Sequence, residues 1–402
     1  MLILSCMTGG VDMSKNLCAL AWGHTSSEPS GFVRSCCIAK DLIVQDQRKM
    51  NVADDSIHDI INSEFMIQLR KDMLEEKYPS NCNTCWNDER NGKQSKRLIY
   101  NDIFKTFNIN VDYNSLHVIP KDLQINIGNV CNLKCRTCGP THSTKWNTEW
   151  NDRVHKFDHR EMSVDFNNKI TSKMWTELDD WSKTVQRLEI MGGEPLYSKD
   201  FRKLVNMLID NGNSKHISLN FSSNATVFDE DFVNKMLDNF ETVGLNISID
   251  GIGDHFDYIR HGKSWNLADA NIRKFSELQQ SQGVRLGISF TVTISTLNIY
   301  YLPKIHQYLK QFPDTYIFNN IVYYPQHYDI RHIPQEYKSK ISNELTDKSL
   351  VPIVNHLQQQ GDHQQFTNFV QETRGADQYR KESFIQTFPE FYSIIKESYD
   401  ER

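Results

Sequence analysis

The sequence predicts an α/β fold built on a curved parallel sheet, and three observations point to it. From about residue 120, short β-rich runs alternate with longer stretches of helical spacing, giving six strand–helix units in series. The polar and glycine-containing motifs recur just past the C-terminal ends of those runs, where (β/α) barrels keep their chemistry. Residues 1–115 and 331–402 follow other patterns, so a partial (β/α)6 TIM-like barrel over 116–330 stands between an N-terminal α+β unit and a helical C-terminal extension.

The predicted strands are 123–127, 187–191, 217–221, 243–249, 286–293 and 316–323. The segments between them carry apolar residues at helical spacing, as at Phe201, Leu204, Val205, Leu208 and Ile209. Ahead of the barrel, Gly31 to Arg34 reads as a turn entering a strand. Ile57, Ile60, Ile61, Met66, Leu69 and Met73 sit at helical spacing, with Asp54, Asp55 and Ser56 as cap candidates. Residues 98–120 are expected to be a linker crossing to the barrel.

Bulk composition narrows the function. The chain has 402 residues, 39% hydrophobic and 24% charged, with a net charge of −6. Nothing there marks a nucleic-acid-binding or membrane-seeking surface. No window approaches 18 uninterrupted apolar residues. The opening MLILSCMTGG has too short an apolar stretch, and no preceding basic residues, for a secretion signal; Met13 is an alternative start. All nine cysteines lie within the first 138 residues, in two groups. That is ligand clustering in a reducing compartment rather than a disulfide framework, so a cytoplasmic location is expected.

The second group is the sharper one. Cys131, Cys135 and Cys138 form a Cys-x3-Cys-x2-Cys spacing directly after the first predicted strand, with no fourth cysteine downstream. A [4Fe–4S] cube takes one ligand per iron, so three thiolates leave one iron open for chemistry. The competing reading, a structural zinc site, ordinarily closes all four positions with paired knuckles. One βα unit later comes Met191-Gly192-Gly193-Glu194-Pro195. Its glycines allow a sharp turn and close backbone approach, and its carboxylate suits an ammonium group.

Together these motifs resemble the radical S-adenosylmethionine (SAM) superfamily, which implies a barrel of the radical SAM type. The resemblance implies that Cys131, Cys135 and Cys138 hold a [4Fe–4S] cluster whose open iron chelates the amino and carboxylate groups of S-adenosyl-L-methionine. Reduction then cleaves the sulfonium to methionine and a 5′-deoxyadenosyl radical, which abstracts hydrogen from substrate. By position, Gly192, Gly193 and Glu194 would meet the methionyl amino group, and Asn224, in Ser222-Ser223-Asn224-Ala225, is a further polar contact. Ser248 would reach the ribose or carboxylate, and Arg260 would pair with the carboxylate. The sequence departs from the family at Thr137, where an aromatic residue usually packs on adenine.

The first cysteine group resembles the auxiliary-cluster module called twitch or SPASM-like, here placed over 1–115, ahead of the barrel. Cys18, Cys36, Cys82 and Cys85 would then close a second, auxiliary [4Fe–4S] cluster, with Cys37 as an alternative to Cys36 and a four-cysteine zinc site as an alternative to the cluster. Cys6 is read as a free thiol. The basic run from Lys93 to Arg97 is either a solvated face or a holder of an anionic substrate group. Arg374, Asp377 and Arg380 in the C-terminal extension are read as scaffold. The expected function is a radical SAM enzyme acting on an unidentified substrate, with a lean towards a peptide, and reduced by an electron donor such as flavodoxin or ferredoxin. The alternative is a non-catalytic iron–sulfur or zinc protein for electron transfer or scaffolding.

Overall fold

Alternation of apolar and polar residues on the central strands dictates a sheet with one dry and one wet face. A computed structural model, which describes residues 16–90, 92, 94–153 and 170–401, shows that sheet. The strands are β1 (His24–Ser27), β2 (Val33–Arg34), β3 (Val44–Gln45), β4 (Arg48–Lys49), β5 (Asp122–Asn126), β6 (Arg187–Met191), β7 (Ser218–Ser223), β8 (Thr242–Ser248), β9 (Leu286–Ile294) and β10 (Tyr316–Ile321). The order across the main sheet is β10-β9-β8-β7-β6-β5-β1-β2, and β3 and β4 form a separate hairpin. Strands β5 to β10 run parallel, the partial (β/α)6 barrel that the alternation predicts. Strand β1 extends it in parallel beside β5, and β2 closes that edge antiparallel.

Leu123, Ile125, Leu188, Ile190, Leu219, Phe221, Val243, Leu245 and Ile247 are buried on one face. Helices with matching stripes cover them. In Lys199–Asp210, Phe201, Leu204, Val205 and Leu208 are buried, and Ser198 caps the start by accepting from the Phe201 N–H. In Glu230–Asn239, Asp229 does the same for Phe232. The other face is polar: Gln124 pairs in register with Glu189, Asn126 with Met191, Ser222 with Asn246, Asn246 with Ser289, and Ser248 with Thr291. Asn246 ties three strands there, donating to Ser222 Oγ and accepting from Ser289 and Thr291.

Two expectations change. The periodic run from Ile57 to Met73 is two helices, Ile57–Ile61 and Glu64–Leu74, because Ser63 starts a second cap with its Oγ accepting from Met66 N–H. Residues after 95 are no bare linker. Helix Lys96–Thr106 buries Tyr100 and Phe104, and the Tyr100 hydroxyl donates to Glu189 of β6 at 3.2 Å. Beyond 330 the chain is helical, ending in His363–Arg380, Phe384–Thr387 and Pro389–Asp400. Cys6, Met13, Asn91 and Lys93 lie outside the described residues. Among the described residues no helix is long and apolar enough to cross a membrane.

Candidate functional site

The glycine–glutamate turn packs directly on the chain that leads into the cysteine triplet. The Glu194 N–H donates to the Val130 carbonyl at 2.9 Å. Gly193 has a φ of +53°, and a Cβ there would lie 2.2 Å from the Val130 oxygen; at Gly192 one would meet Asn126 Oδ1 at 2.2 Å. Only glycine fits two such positions. The turn follows β6 and the triplet follows β5, its paired neighbour, so the sheet itself brings the two motifs together.

The three cysteines lie close together. The Cys138 N–H donates to the Cys135 carbonyl at 3.0 Å, and the thiols of Cys131, Cys135 and Cys138 repel one another when charged. Burial is the larger cause and pushes all three thiols up, Cys131 to about 12. Thiolates crowded this way ionise when a cationic metal centre takes them, with release of protons.

Glu194 is buried, and burial raises its carboxyl to about 7 against the hydrogen bonds that lower it. Its oxygens accept from Leu196 N–H at 3.3 Å, Ser223 Oγ at 2.9 Å and Asn224 N–H at 2.6 Å. A carboxylate has about four lone-pair sites, so one remains for a ligand donor. Asn224 spends its side chain inside the protein, with Nδ2 donating to Asn132 Oδ1 at 2.9 Å and Oδ1 accepting from Thr226. Asn132 in turn donates to Thr226 Oγ1 at 2.8 Å, which latches the triplet loop to the end of β7.

Arg260 lies beside the triplet because its flanks hydrogen-bond to it, Lys134 N–H to His261 O at 2.9 Å and Arg136 N–H to Ile259 O at 2.8 Å. Its guanidinium pairs with Asp250 at 2.9 Å, while its buried Nε has no partner. Ser248 is half-buried at the end of β8 on the polar face, and Thr137 is half-buried in the triplet loop.

The N-terminal cysteines converge separately. Cys18, Cys36, Cys82 and Cys85 line one small cavity, bordered also by Lys96 and Arg97. Burial pushes Cys18 up to about 12, helped by the Cys36 thiol, and Cys36 up to about 11 against the lowering pull of Lys96. Cys37 is exposed and off the cavity, its sulfur accepting from Lys96 Nζ at 2.9 Å. Arg97 is held by Glu89 at 2.6 Å and by the Leu17 carbonyl at 2.9 Å. These two members of the basic run are therefore bound internally rather than forming a solvated face.

Sequence reasoning gave no role to Trp146, whose Nε1 donates to the Cys135 carbonyl at 3.0 Å, or to Arg136, which sits inside the triplet and is buried. An arginine between the second and third cysteines of the triplet is the one signal that could have pointed there.

The donor sets fit the groups the sequence implies: four thiols around one cavity, and three thiols beside a buried carboxylate and an arginine with an unmatched N–H. Among the described residues no three His, Cys, Asp or Glu side chains are arranged to hold a single metal ion.

Comparison with known proteins gives two family matches: the radical SAM superfamily over residues 125–308, and an iron–sulfur cluster-binding domain, SPASM, over residues 18–86. No curated protein matches the chain. Among solved structures it is similar to anSMEcpe with bound AdoMet and Kp18Cys peptide, at 18% identity over 48% of this chain and 49% of that one, TM-score 0.33. It is also similar to Streptococcus suis SuiB bound to precursor peptide SuiA, at 13% identity over 73% and 60%, TM-score 0.34. The chain thus spans 49% and 60% of those two proteins. The two domains imply iron–sulfur clusters and SAM binding: the chain carries a radical SAM domain over residues 125–308 and, ahead of it, a SPASM iron–sulfur domain over residues 18–86.

Proposed function

We propose that the chain is a radical SAM enzyme with two [4Fe–4S] sites, one open and one closed. The observation that carries this is the docking of Gly193 and Glu194 on Val130, which sets a buried carboxylate beside the first cysteine of the triplet. Cys131, Cys135 and Cys138 would hold the cluster, which when bound and reduced would supply the electron for reductive cleavage of SAM and so the means to abstract hydrogen from substrate. The chain's own residues bind and orient. Glu194 offers its remaining lone pair to an N–H of the methionyl amino group, Arg260 offers Nε to the carboxylate, and Ser248 stands on the ribose side. Asn224 acts through Asn132, fixing the loop.

Cys18, Cys36, Cys82 and Cys85 are read as ligands of the auxiliary cluster. Four thiols around one cavity match a cube, whose four irons each take one thiolate. The division 1–115, 116–330 and 331–402 is kept as the functional layout. A carrier such as flavodoxin or ferredoxin is the proposed reductant.

The proposed substrate is a peptide. Strand β10 is the sheet's edge and carries no charged residue, and Tyr316 and Phe318 are exposed on the face that Ser289 and Thr291 share with Ser248. An extended peptide meets both the main-chain groups of such an edge and its aromatic rings.

The test is anaerobic reconstitution with iron and sulfide, then dithionite and SAM, with 5′-deoxyadenosine measured by chromatography. Product that disappears in Cys135→Ala is expected. A fully reconstituted sample that yields none would favour the non-catalytic alternative. Iron should be about eight per chain, and one zinc with four irons would return the N-terminal site to a metal knuckle.

A further inference from the structure

The triplet loop is gripped by the C-terminal end of the chain. Arg136 stacks 3.6 Å from the Tyr258 ring centre and donates to Asp377 at 2.7 Å and Glu382 at 2.6 Å. The Tyr258 hydroxyl donates to the same Asp377 oxygen at 2.6 Å. Two residues earlier in the loop, Lys134 reaches the buried Glu149 at 2.7 Å. Glu149 also takes Arg153 at 3.0 Å and Arg380 Nε at 3.0 Å, and Arg153 pairs with Glu372 at 2.7 Å. Lys134 and Arg136 are thus tied, through carboxylates, to residues 372–382.

Arg380 has more to give than this pairing uses. Its side chain is 0% exposed, and both NH1 and NH2 lack a partner. The guanidinium lies 4.8 Å from the ring centre of Trp146, the indole that donates to the Cys135 carbonyl. Arg380 thus stands one indole away from the Cys135 backbone, and Arg260 is held beside the same loop by the Arg136 N–H to Ile259 O bond. Buried N–H groups without acceptors are costly unless an anionic centre stands nearby in the working state.

We propose that residues 372–382 are a working part of the triplet site: they hold the loop in place, and Arg380, with Arg260, supplies buried positive charge that makes the group bound by the three thiolates easier to reduce. A reduced cluster carries one more negative charge, and its potential follows local charge and hydrogen bonding. In a low-dielectric interior a cation acts on it across several ångströms. Arg380 is a positioning and field-setting residue here, not one that touches substrate. The inference rests on the cluster reading above.

The experiment is a potentiometric titration of the reconstituted full chain, following by electron paramagnetic resonance the signal that changes when SAM is added. Arg380→Gln should lower the reduced-to-oxidised ratio at a fixed potential about tenfold, about 59 mV for one electron. Glu149→Gln should raise the ratio, and Arg380→Lys should stay near the unsubstituted protein. Shifts of the same sign in Arg380→Gln and Glu149→Gln, or none, at unchanged iron content would overturn the proposal. If Arg380→Gln loses iron, Arg380→Lys decides: a retained signal and ratio supports the charge, and iron lost there too, with circular dichroism unchanged, overturns it. An unsubstituted protein with no SAM-responsive signal would instead sink the cluster reading itself.

Discussion

Glu194 and Val130 are joined backbone to backbone at 2.9 Å, so the carboxylate after β6 and the cysteine after β5 form one rigid unit rather than two neighbouring loops. The Gly193 position makes that contact sterically exclusive. Gly193→Ala would drive a Cβ to 2.2 Å from the Val130 oxygen at a φ of +53°. It should cost about 1–3 kcal/mol and loosen the triplet loop. Thermal unfolding of the variant, with iron content measured in parallel, checks this; an unchanged melting temperature would refute the close approach.

Glu194 also sets a pH dependence. Burial is the main cause holding its carboxyl up at about 7, while Asn224, Ser223 and Arg260 pull it down. The ionised carboxylate is the stronger acceptor for the amino N–H, so SAM affinity should fall as pH drops below about 7, by up to about tenfold per unit. The linked stability has the opposite sense. A carboxyl raised in the folded state contributes stability fully present below its unfolded value of 4.5, lost as pH rises through about 7. Calorimetric SAM titrations from pH 6 to 8, with Glu194→Gln as the pH-independent control, measure the first effect (about one decade expected across the lower unit).

The cysteines at 36 and 37 should separate cleanly. Cys36 lines the N-terminal cavity with Cys18, Cys82 and Cys85, whereas Cys37 is exposed and bonded to Lys96. Cys36→Ser should remove about half of the iron, while Cys37→Ser should leave it unchanged. Iron and sulfide assays on the two variants decide, and the reverse pattern would exchange their roles.

Much of this was legible in the chain. The six parallel strands declared themselves through alternation, and their observed ends fall within about two residues of the expected ones. The two cysteine groups and the glycine–glutamate turn were visible because metal ligation and close backbone approach demand particular residue types at particular spacings. The split of the Ile57 to Met73 run into two helices was harder to see, since apolar spacing is blind to a cap at Ser63. The helix Lys96–Thr106 hid for a related reason: its buried residues, Tyr100 and Phe104, sit among polar neighbours.

By itself, then, the sequence determined the chemistry available: three thiols at one strand end, four more ahead of the barrel, and a carboxylate on a glycine turn. It could do so because those choices are local and unforgiving. Only the tertiary structure decided which of Cys36 and Cys37 faces the other thiols, that Arg260 leans on Asp250, and that Asp377 and Glu382 reach back more than 200 positions to the triplet loop, with Arg380 doing so to Glu149 just after it. Ion pairs between distant segments leave no spacing to read, because burial, and not sequence separation, makes each charge choose its partner.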